Sequence, residues 1–534
     1  MTLNIIFFSV TLVIMAVALL CELKRDLMMM QQNSYRIDRY MRWLRDSADT
    51  TSLERLVGMC VFLGSLVTFT RPLWGCCLIG VFGAGLALWL ISRRYKKPLV
   101  WTPRCRRIYS VAVALVVIVG GAVVALSWRE GIEQMLFAVA VTLAGVYCVS
   151  HVVLIAAVWL LGPVEKHINA GYYDDAARIL RSMPELKVVG ITGSYGKTST
   201  KHYLHRILSE SYEVLMTPGS YNTTMGVIRT VRELMKPYTE VFICEMGAKQ
   251  PGDIKEICDL VHPQIGIVTA VGPQHLESFK TIERVRDTKF ELVESLPSDG
   301  LAVVNDDFEA AAGRQVDNVE CVRYAVTSAG AAAFTAEDIV YGIDGTDFIV
   351  VCPDGARLPL HTRLVGECNI SNLLAAVIVA LRLGVPATKI SQAVARIEQV
   401  EHRLSIKHTA GGVTIIDDAF NSNPTGSAMA LDVLRAMPGR RIVVTPGMIE
   451  LGDRQDELNR AFGAKIAASC DIAVVVSLVN RESITAGIDE GHPGVPGPEV
   501  YTVDTFADAQ QLLAPMLRKD DFVLYENDLP DTFK

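Results

Sequence analysis

The seven residues Thr192-Gly-Ser-Tyr-Gly-Lys-Thr198 are the densest piece of phosphate chemistry in the chain. The apolar run Leu186–Ile191 before them reads as a short strand, and Ser199–Leu208 after them as a helix. In a strand, glycine-rich loop and helix, backbone N–H groups turn inward on phosphates and the helix N-terminus adds positive potential. Lys197 is placed to reach the β- and γ-phosphates of ATP, and Thr198 to offer its hydroxyl to Mg²⁺. The common phosphate-loop spacing is not met, because Ile191 stands at its first glycine position and the glycines fall at Gly190, Gly193 and Gly196. A chance glycine-rich turn is the plain alternative, and Gly-Lys-Thr on a strand–helix junction speaks against it.

Three more residues have types that suit the same chemistry. Glu245 closes the apolar strand Val241–Cys244, at the end where a parallel strand presents ligands. A solvated strand-end carboxylate is the plain alternative. His275 follows a second apolar strand, Ile265–Val271, where a lone histidine is as a rule structural. Lys289 lies on the predicted helix Ile282–Leu296 and, by its pattern alone, is an ordinary helical lysine.

Gly190–Thr200 resembles the ATP loop of the Mur ligase family, the enzymes that build the peptide stem of peptidoglycan. Other stretches are similar in the same order: Thr217–Gly226, Cys244–Gly247, Gly272–Glu277 (Gly-Pro-Gln-His-Leu-Glu), Asn305–Asp307, Asp417–Pro424 (Asp-Asp-Ala-Phe-Asn-Ser-Asn-Pro) and Gly447–Gly452 (Gly-Met-Ile-Glu-Leu-Gly). The resemblance runs from about Lys187 to the C-terminus. It is closest to the branch that adds D-alanyl-D-alanine to UDP-N-acetylmuramoyl-tripeptide. It implies an ATP-dependent ligase that phosphorylates a carboxylate to an acyl phosphate, which an amine then attacks.

The resemblance also implies roles. ATP contacts fall on Gly193, Ser194, Tyr195, Gly196, Lys197, Thr198 and Ser199, adenine contacts on Asn305 and Asn369, a phosphate contact on Arg403 and a ribose contact on Asp418. Mg²⁺ is held by Thr198, Glu245 and His275, with Lys289 carbamylated by CO₂ so that a cation becomes an anion able to help hold the metal. Lys197, His275 and Lys289 are the catalytic candidates, and Asn222 and Thr223 match the loop that contacts the acyl substrate. The plain reading of each polar residue is a turn or a cap.

Four departures bear on the substrates. Membrane-type segments stand where the family has the N-terminal domain that holds the UDP-sugar. Ala270 replaces a frequent Asn, and Cys368 replaces the His of a Gly-x-His-Asn pattern. The stretch Tyr525-Glu-Asn-Asp-Leu-Pro530 stands where the D-alanyl-D-alanine branch typically has Lys-Gly-Ser.

These residues need a scaffold, and 534 residues suggest about three domains. Mean hydropathy is +0.30, with the excess in the first ~160 residues. Five apolar segments, roughly Leu3–Leu20, Leu56–Thr70, Leu73–Ile91, Ile108–Trp128 and Met135–Leu161, mostly approach the ~20 residues a helix needs to cross a bilayer. The first is read as an anchor, because Lys24 and Arg25 follow it and no small-residue cleavage site does. The link after the first segment holds Lys24, Arg25, Arg36, Arg39, Arg42 and Arg45, and the link after the third holds Arg93, Arg94, Lys96, Lys97, Arg104, Arg106 and Arg107. The opposite links carry only Arg71 and Arg129, so the rule that basic links stay inside places the N-terminus outside and the rest in the cytoplasm of a multi-pass cell-membrane protein. The basic links serve topology, or bind anionic lipid head groups. The segments hold almost no charge, which favours an anchor or lipid-binding role over ion transport. Net charge is -7, so nothing points to nucleic acid, and twelve scattered cysteines without CxxC spacing fit a reduced compartment.

The expected architecture is an α-helical membrane region (1–162, five helices) followed by α/β. The central ATP-binding domain spans 163–399, with a linker near Gly162–Leu186 and a β-rich excursion at Phe334–Leu364. A Rossmann-like domain spans 400–534. The expected partners are the bilayer, a cell-wall precursor either UDP-linked or lipid-linked, and a small amino acid or dipeptide. Two other readings stand beside the ligase: a poly-γ-glutamate or folylpolyglutamate-type ligase, and a membrane scaffold that binds ATP without turnover.

Overall fold

The computed structural model describes residues 2–95, 97–327, 332–342, 345–420, 422–492 and 497–528. Lys96, Asp344 within the expected β-rich excursion, Asn421, residues 493–496, and Leu529 and Pro530 lie outside the described residues. The chain divides into two compact units at Asn169 and Ala170.

The first unit is helical: α1 (Thr2–Gln32), α2 (Ile37–Asp46), α3 (Leu53–Val67), α4 (Pro72–Ser92), α5 (Pro103–Ser127), α6 (Ile132–Cys148) and the start of α7 (Ser150–Arg181). Among the described residues four helices are long and apolar enough to cross a membrane: α1, α4, α5 (with the short turn after it) and α7. α3 and α6 are shorter, at 15 and 17 residues. The segment Met135–Leu161 is not one helix, because Val149 leaves the helical region at φ −119°, ψ 23° and divides α6 from α7. One residue is too short for a helical hairpin, so the chain continues along a kinked path. The expected linker from Gly162 is also helical, through Arg181, with Pro163 inside it. Its Tyr173, Ile179 and Leu180 pack into the core of the second unit, and that burial keeps the segment helical.

The helices carry more charge than the apolar segments suggest. α1 continues past Leu20, so Glu22, Arg25 and Asp26 belong to it. Arg55 Nη2 donates to Glu22 (2.9 Å), Asp26 (3.2 Å) and Asp49 (3.3 Å). Its Nη1 donates to the Tyr147 carbonyl freed by the break at Val149, and to Ser150 Oγ. All four charged groups are buried, as paired charges within apolar surroundings must be.

The second unit holds two sheets. The first has nine strands: β1 (Lys187–Thr192), β2 (Val214–Met216), β3 (Val241–Glu245), β4 (Ile265–Val268), β5 (Leu301–Asn305), β6 (Glu320–Ala325), β7 (Phe334–Gly342), β8 (Gly345–Val351) and β9 (Arg357–Thr362), in the order β2-β3-β1-β4-β5-β6-β7-β8-β9. It is parallel through β7, then β7, β8 and β9 form an antiparallel meander, the expected β-rich excursion. Its helices are α8 (Lys197–Leu208), α9 (Thr224–Leu234), α10 (Asp253–Val261), α11 (Leu276–Phe279), α12 (Ile282–Glu294), α13 (Glu309–Ala312), α14 (Glu367–Arg382) and α15 (Ala387–Ala395). Strands β1, β3 and β4 are buried on both faces, as parallel strands covered by helices require. Neighbours β3 and β4 lie on either side of β1, so strand order reverses there and opens a crevice at the carboxyl ends.

The second sheet has the order β10-β11-β15-β12-β13-β14, from β10 (Ser405–His408), β11 (Thr414–Asp418), β12 (Arg441–Thr445), β13 (Ile472–Val476), β14 (Glu499–Val503) and β15 (Phe522–Glu526). Only β10 is antiparallel, so the expected Rossmann-like domain forms, with α16 (Pro424–Arg435), α17 (Gln455–Ala467), α18 (Arg481–Glu490) and α19 (Phe506–Leu513) connecting its strands.

Candidate active site

β1 delivers the loop 193–196 and α8 begins at Lys197. Gly196 takes φ 83°, and a Cβ there would collide with the Asn372 side chain on α14. A Cβ on Gly193 would collide with Thr269. The glycines thus permit both the turn and the close approach of neighbouring strands. Ser194 N–H donates to the Ala270 carbonyl (2.8 Å), so the position where Ala replaces the family's Asn still serves through its backbone. Lys197 Nζ donates to the Gly193 carbonyl at 2.6 Å. Burial lowers its pKa to about 8; Glu245 opposes that shift and Arg403 adds to it.

Glu245 is the junction of the site. Its Oε1 accepts from Thr198 Oγ1 (3.2 Å) and Asn222 Nδ2 (3.1 Å), and its Oε2 from Lys201 Nζ (2.9 Å). Burial pushes this carboxyl up, but Lys201 and Lys197 outweigh burial and hold it below the ordinary range. Lys201 also donates to the Gly219 carbonyl at 2.6 Å, tying the loop that carries Asn222 to the same carboxylate. Thr223 caps α9 by accepting from Gly226 N–H. Ser199 is buried on the first turn of α8, beneath the loop.

Lys289, on α12, is buried, and burial drives its pKa well below the usual lysine value, with nearby Lys197 adding to the shift. Among the described residues it forms no ion pair. A neutral amine is the form that reacts with CO₂. His275 takes left-handed backbone at φ 52° ahead of α11, and its Nδ1 meets Glu450 of the Gly447–Gly452 stretch. Burial lowers the His275 pKa, and Glu450 opposes the shift. A carboxylate on one ring nitrogen fixes the other for a metal.

Two expected adenine contacts make hydrogen bonds inside the fold. Asn305 donates both amide hydrogens inside the fold, to Thr269 O (2.8 Å) and Ser371 Oγ (2.9 Å). Asn369 accepts from Tyr203 and donates to Val365 O. Both amides thus make hydrogen bonds to the scaffold. Arg403 stacks 4.3 Å over the Phe420 ring and, with Thr198, His202, Tyr203, His402 and Phe420, lines a cleft of about 700 Å³. Asp418 accepts from Leu404 N–H, and burial raises its pKa to about 6. Burial also pushes the Cys368 thiol to about 12, which leaves it inert.

Among the described residues no three His, Cys, Asp or Glu side chains cluster as a metal site. The oxygens of Thr198 and Glu245 lie side by side, however, and this hard donor pair suits Mg²⁺, which takes one or two carboxylates and completes its shell with water and phosphate.

Residues 191–380 match the Mur ligase middle domain and residues 402–525 the Mur ligase glutamate ligase domain. The UDP-N-acetylmuramoyl-tripeptide–D-alanyl-D-alanine ligase of Escherichia coli is 30% identical over 331 residues, covering 61% of this chain and 72% of that enzyme. The chain belongs to the Mur ligase family. Members of this family are ATP-dependent ligases. The namesake ligase of Bacillus subtilis is 26% identical over 284 residues, and there the chain spans 60% of the relative's length. Among solved structures the chain is similar to the MurF ligase of Thermotoga maritima in complex with ADP, at TM-score 0.60 and 25% identity, covering 67% of this chain and 80% of that one.

The sequence reading missed Lys201, Glu450 and the cleft residues His402 and Phe420. Lys201 carried a usable signal, since it lies one helical turn after Lys197 and on the same face. Glu450 lay inside a stretch already singled out by resemblance.

Proposed function

We propose that this Mur ligase joins D-alanyl-D-alanine to the terminal carboxylate of UDP-N-acetylmuramoyl-tripeptide, using ATP and an acyl phosphate, in peptidoglycan precursor synthesis. The observation that carries this is the convergence of Lys197, Thr198, Glu245 and Lys289 at the crevice beside β1, with His275 and Arg403 at its rim. A substrate carboxylate oxygen attacks the γ-phosphorus of ATP and ADP leaves. The amine then attacks the acyl carbon, the C–O bond to phosphate breaks, and phosphate leaves with a proton from nitrogen.

The loop N–H groups and Lys197 hold the phosphates and offset the charge that builds on the transferring group. On this reading Arg403 contacts a phosphate and Asp418 the ribose. Thr198 and Glu245, with His275 at a second position, would hold Mg²⁺, which would supply neutralisation of the phosphate charge. Carbamylation of the neutral Lys289 amine would place an anion beside Lys197. Asn222 presents the acyl substrate loop.

On this reading the four long apolar helices anchor the enzyme in the cell membrane and the ligase works in the cytoplasm, where ATP is available. The carrier on this reading is either the UDP-linked precursor or one already on a lipid. Purified full-length protein in detergent tests the reading with ATP, Mg²⁺, the muramoyl-tripeptide and the dipeptide. Substrate-dependent phosphate release that Lys197→Ala abolishes supports it. Absence of release with every muramoyl carrier and amine would overturn it.

A further inference from the structure

The helical unit carries a cationic surface that the ligase chemistry does not use. From Arg93 to Arg107 the chain holds seven arginines and lysines and no acid. A link that only sets topology needs charge but no shape. This one has a shape. Gln31 Nε2, near the end of α1, donates to the Val100 carbonyl at 2.9 Å, and Val100 N–H donates back to Gln31 Oε1 at 3.0 Å. Gln32 Nε2 donates to the Lys97 carbonyl at 3.1 Å. The Arg93 guanidinium lies 4.8 Å from the centre of the Trp89 ring and 5.4 Å from that of Tyr95, and the Arg104 guanidinium 4.3 Å from that of Tyr35. Stacking uses the face of a guanidinium and leaves its N–H edge for an acceptor.

Glu165, on α7, answers part of this charge. It accepts from Arg107 Nε at 2.7 Å and Nη2 at 2.9 Å, and Arg104 Nε lies 3.8 Å away. Arg93, Arg94 and Arg106 are exposed and, among the described residues, form no ion pair. Apolar groups stand among them. Val100 is 62% exposed, and exposed Trp101 meets Tyr109 edge-on at 5.3 Å. Leu88 and Ile91, in the last turns of α4 before Arg93, are 71% and 68% exposed. Exposed apolar side chains that give way to tryptophan and then to cations follow the profile of a bilayer, from hydrocarbon to phosphate. That sequence fits a partner with an anionic head and hydrocarbon tails better than a soluble anion. The opposite links lack it: one holds Arg71 alone, and in the other Arg129 is followed by Glu130.

We propose that residues 93–107 dock anionic phospholipid head groups, with Arg93, Arg94 and Arg106 taking the phosphates and the acyl chains lying along Leu88 and Ile91. This rests on the membrane reading above and not on the amide-bond chemistry. The anchor then distinguishes bilayers by charge, and each exposed cation at an anionic surface tightens binding about fivefold.

Full-length protein purified in a neutral detergent is titrated with short-chain phosphatidylglycerol or phosphatidylcholine, which differ in head-group charge. Tryptophan emission reads binding, since Trp89 and Trp101 lie within the patch. The expected result is that phosphatidylglycerol binds about tenfold or more tightly than phosphatidylcholine, and that salt at about 0.5 M removes most of the difference. Arg93→Gln combined with Arg106→Gln should weaken phosphatidylglycerol binding about tenfold or more, with phosphatidylcholine unchanged. Arg129→Gln, on the opposite link, should leave both unchanged. Equal affinity for the two lipids in the wild type overturns the proposal without any variant. So does a double variant that unfolds at the wild-type temperature and keeps its phosphatidylglycerol affinity, or an equal loss in Arg129→Gln. Displacement of the lipid by inorganic phosphate would mark a soluble-anion site and also overturns it. Full-length protein recovered in the soluble fraction without detergent overturns the membrane reading and this proposal together, while the ligase reading is decided separately by phosphate release.

Discussion

Lys201 Nζ lies 2.9 Å from Glu245 Oε2 and 2.6 Å from the Gly219 carbonyl, so one buried ammonium joins the Glu245 carboxylate to the loop that carries Asn222. Both members of the ion pair are at most 1% exposed. Removing one partner strands the other charge, so Lys201→Met is expected to destabilise the unit by about 3 kcal/mol. Chemical unfolding of the full-length protein reads this, and adding Glu245→Gln should recover part of the loss. The Glu245 pKa is lowered in the fold, so its contribution is present above the ordinary carboxylate pKa and is lost as pH falls through the lower folded value. A Lys201→Met protein with wild-type stability between pH 5 and 8 would refute the coupling.

Gly196→Ala should cost about 1–2 kcal/mol for the left-handed backbone alone, before the collision with Asn372 is counted. Calorimetric titration with Mg-ATP is expected to show nucleotide binding lost. Wild-type affinity in Gly196→Ala would show that the loop tolerates a side chain there.

Lys197 in the free protein titrates near 8, because burial disfavours its charge. Its folded pKa lies below the unfolded value, so the cost to stability is present below about 8 and is relieved as pH rises toward the ordinary lysine range. Nucleotide binding has the opposite trend, since it uses the charged form. ADP affinity should therefore fall about tenfold per unit above pH 8. Lys197→Arg, which stays charged, should flatten that slope; a steep slope in the variant would assign the effect elsewhere.

Glu450→Gln leaves His275 without its carboxylate partner. If His275 holds a metal, the Mg²⁺ concentration for half-maximal activity should rise about 10–100-fold, with ATP KM at saturating Mg²⁺ nearly unchanged. A proportional loss at every Mg²⁺ concentration would instead mark a purely structural contact between His275 and the C-terminal loop.

Local pattern carried the parts of this molecule that are local. The loop at 193–196 was legible because glycine, lysine and threonine announce a strand–helix junction, and Glu245 because it closes an apolar run. The alternation of strands and helices gave both α/β sheets. The break at Val149 was not legible, because both sides of it are equally apolar and its stabilising partner, Arg55, lies 92 residues from Tyr147. The helical reach of α7 to Arg181 was hidden for a related reason: its stability comes from packing against strands later in the chain. Asn305 and Asn369 showed the right side chains for a base, but the sequence could not show that neighbours 36 and 166 residues away already hold them. Glu450 and His275, 175 residues apart, meet only in three dimensions.

Asp417 and Asp418 are consecutive in β11, so they face opposite sides of the sheet. Asp417 grips His402 (2.9 Å) and Lys407 (3.2 Å), on the segment that enters the C-terminal domain, while Asp418 looks toward Arg403 and Glu526. A slip of β11 by one residue would exchange the two carboxylates, setting one against Arg403 and Glu526 without its neighbours and leaving two cations unanswered. The dipeptide thus acts as a proofreading mark for strand alignment: misregistered sheets are penalised at both faces at once, and only the productive pairing satisfies both.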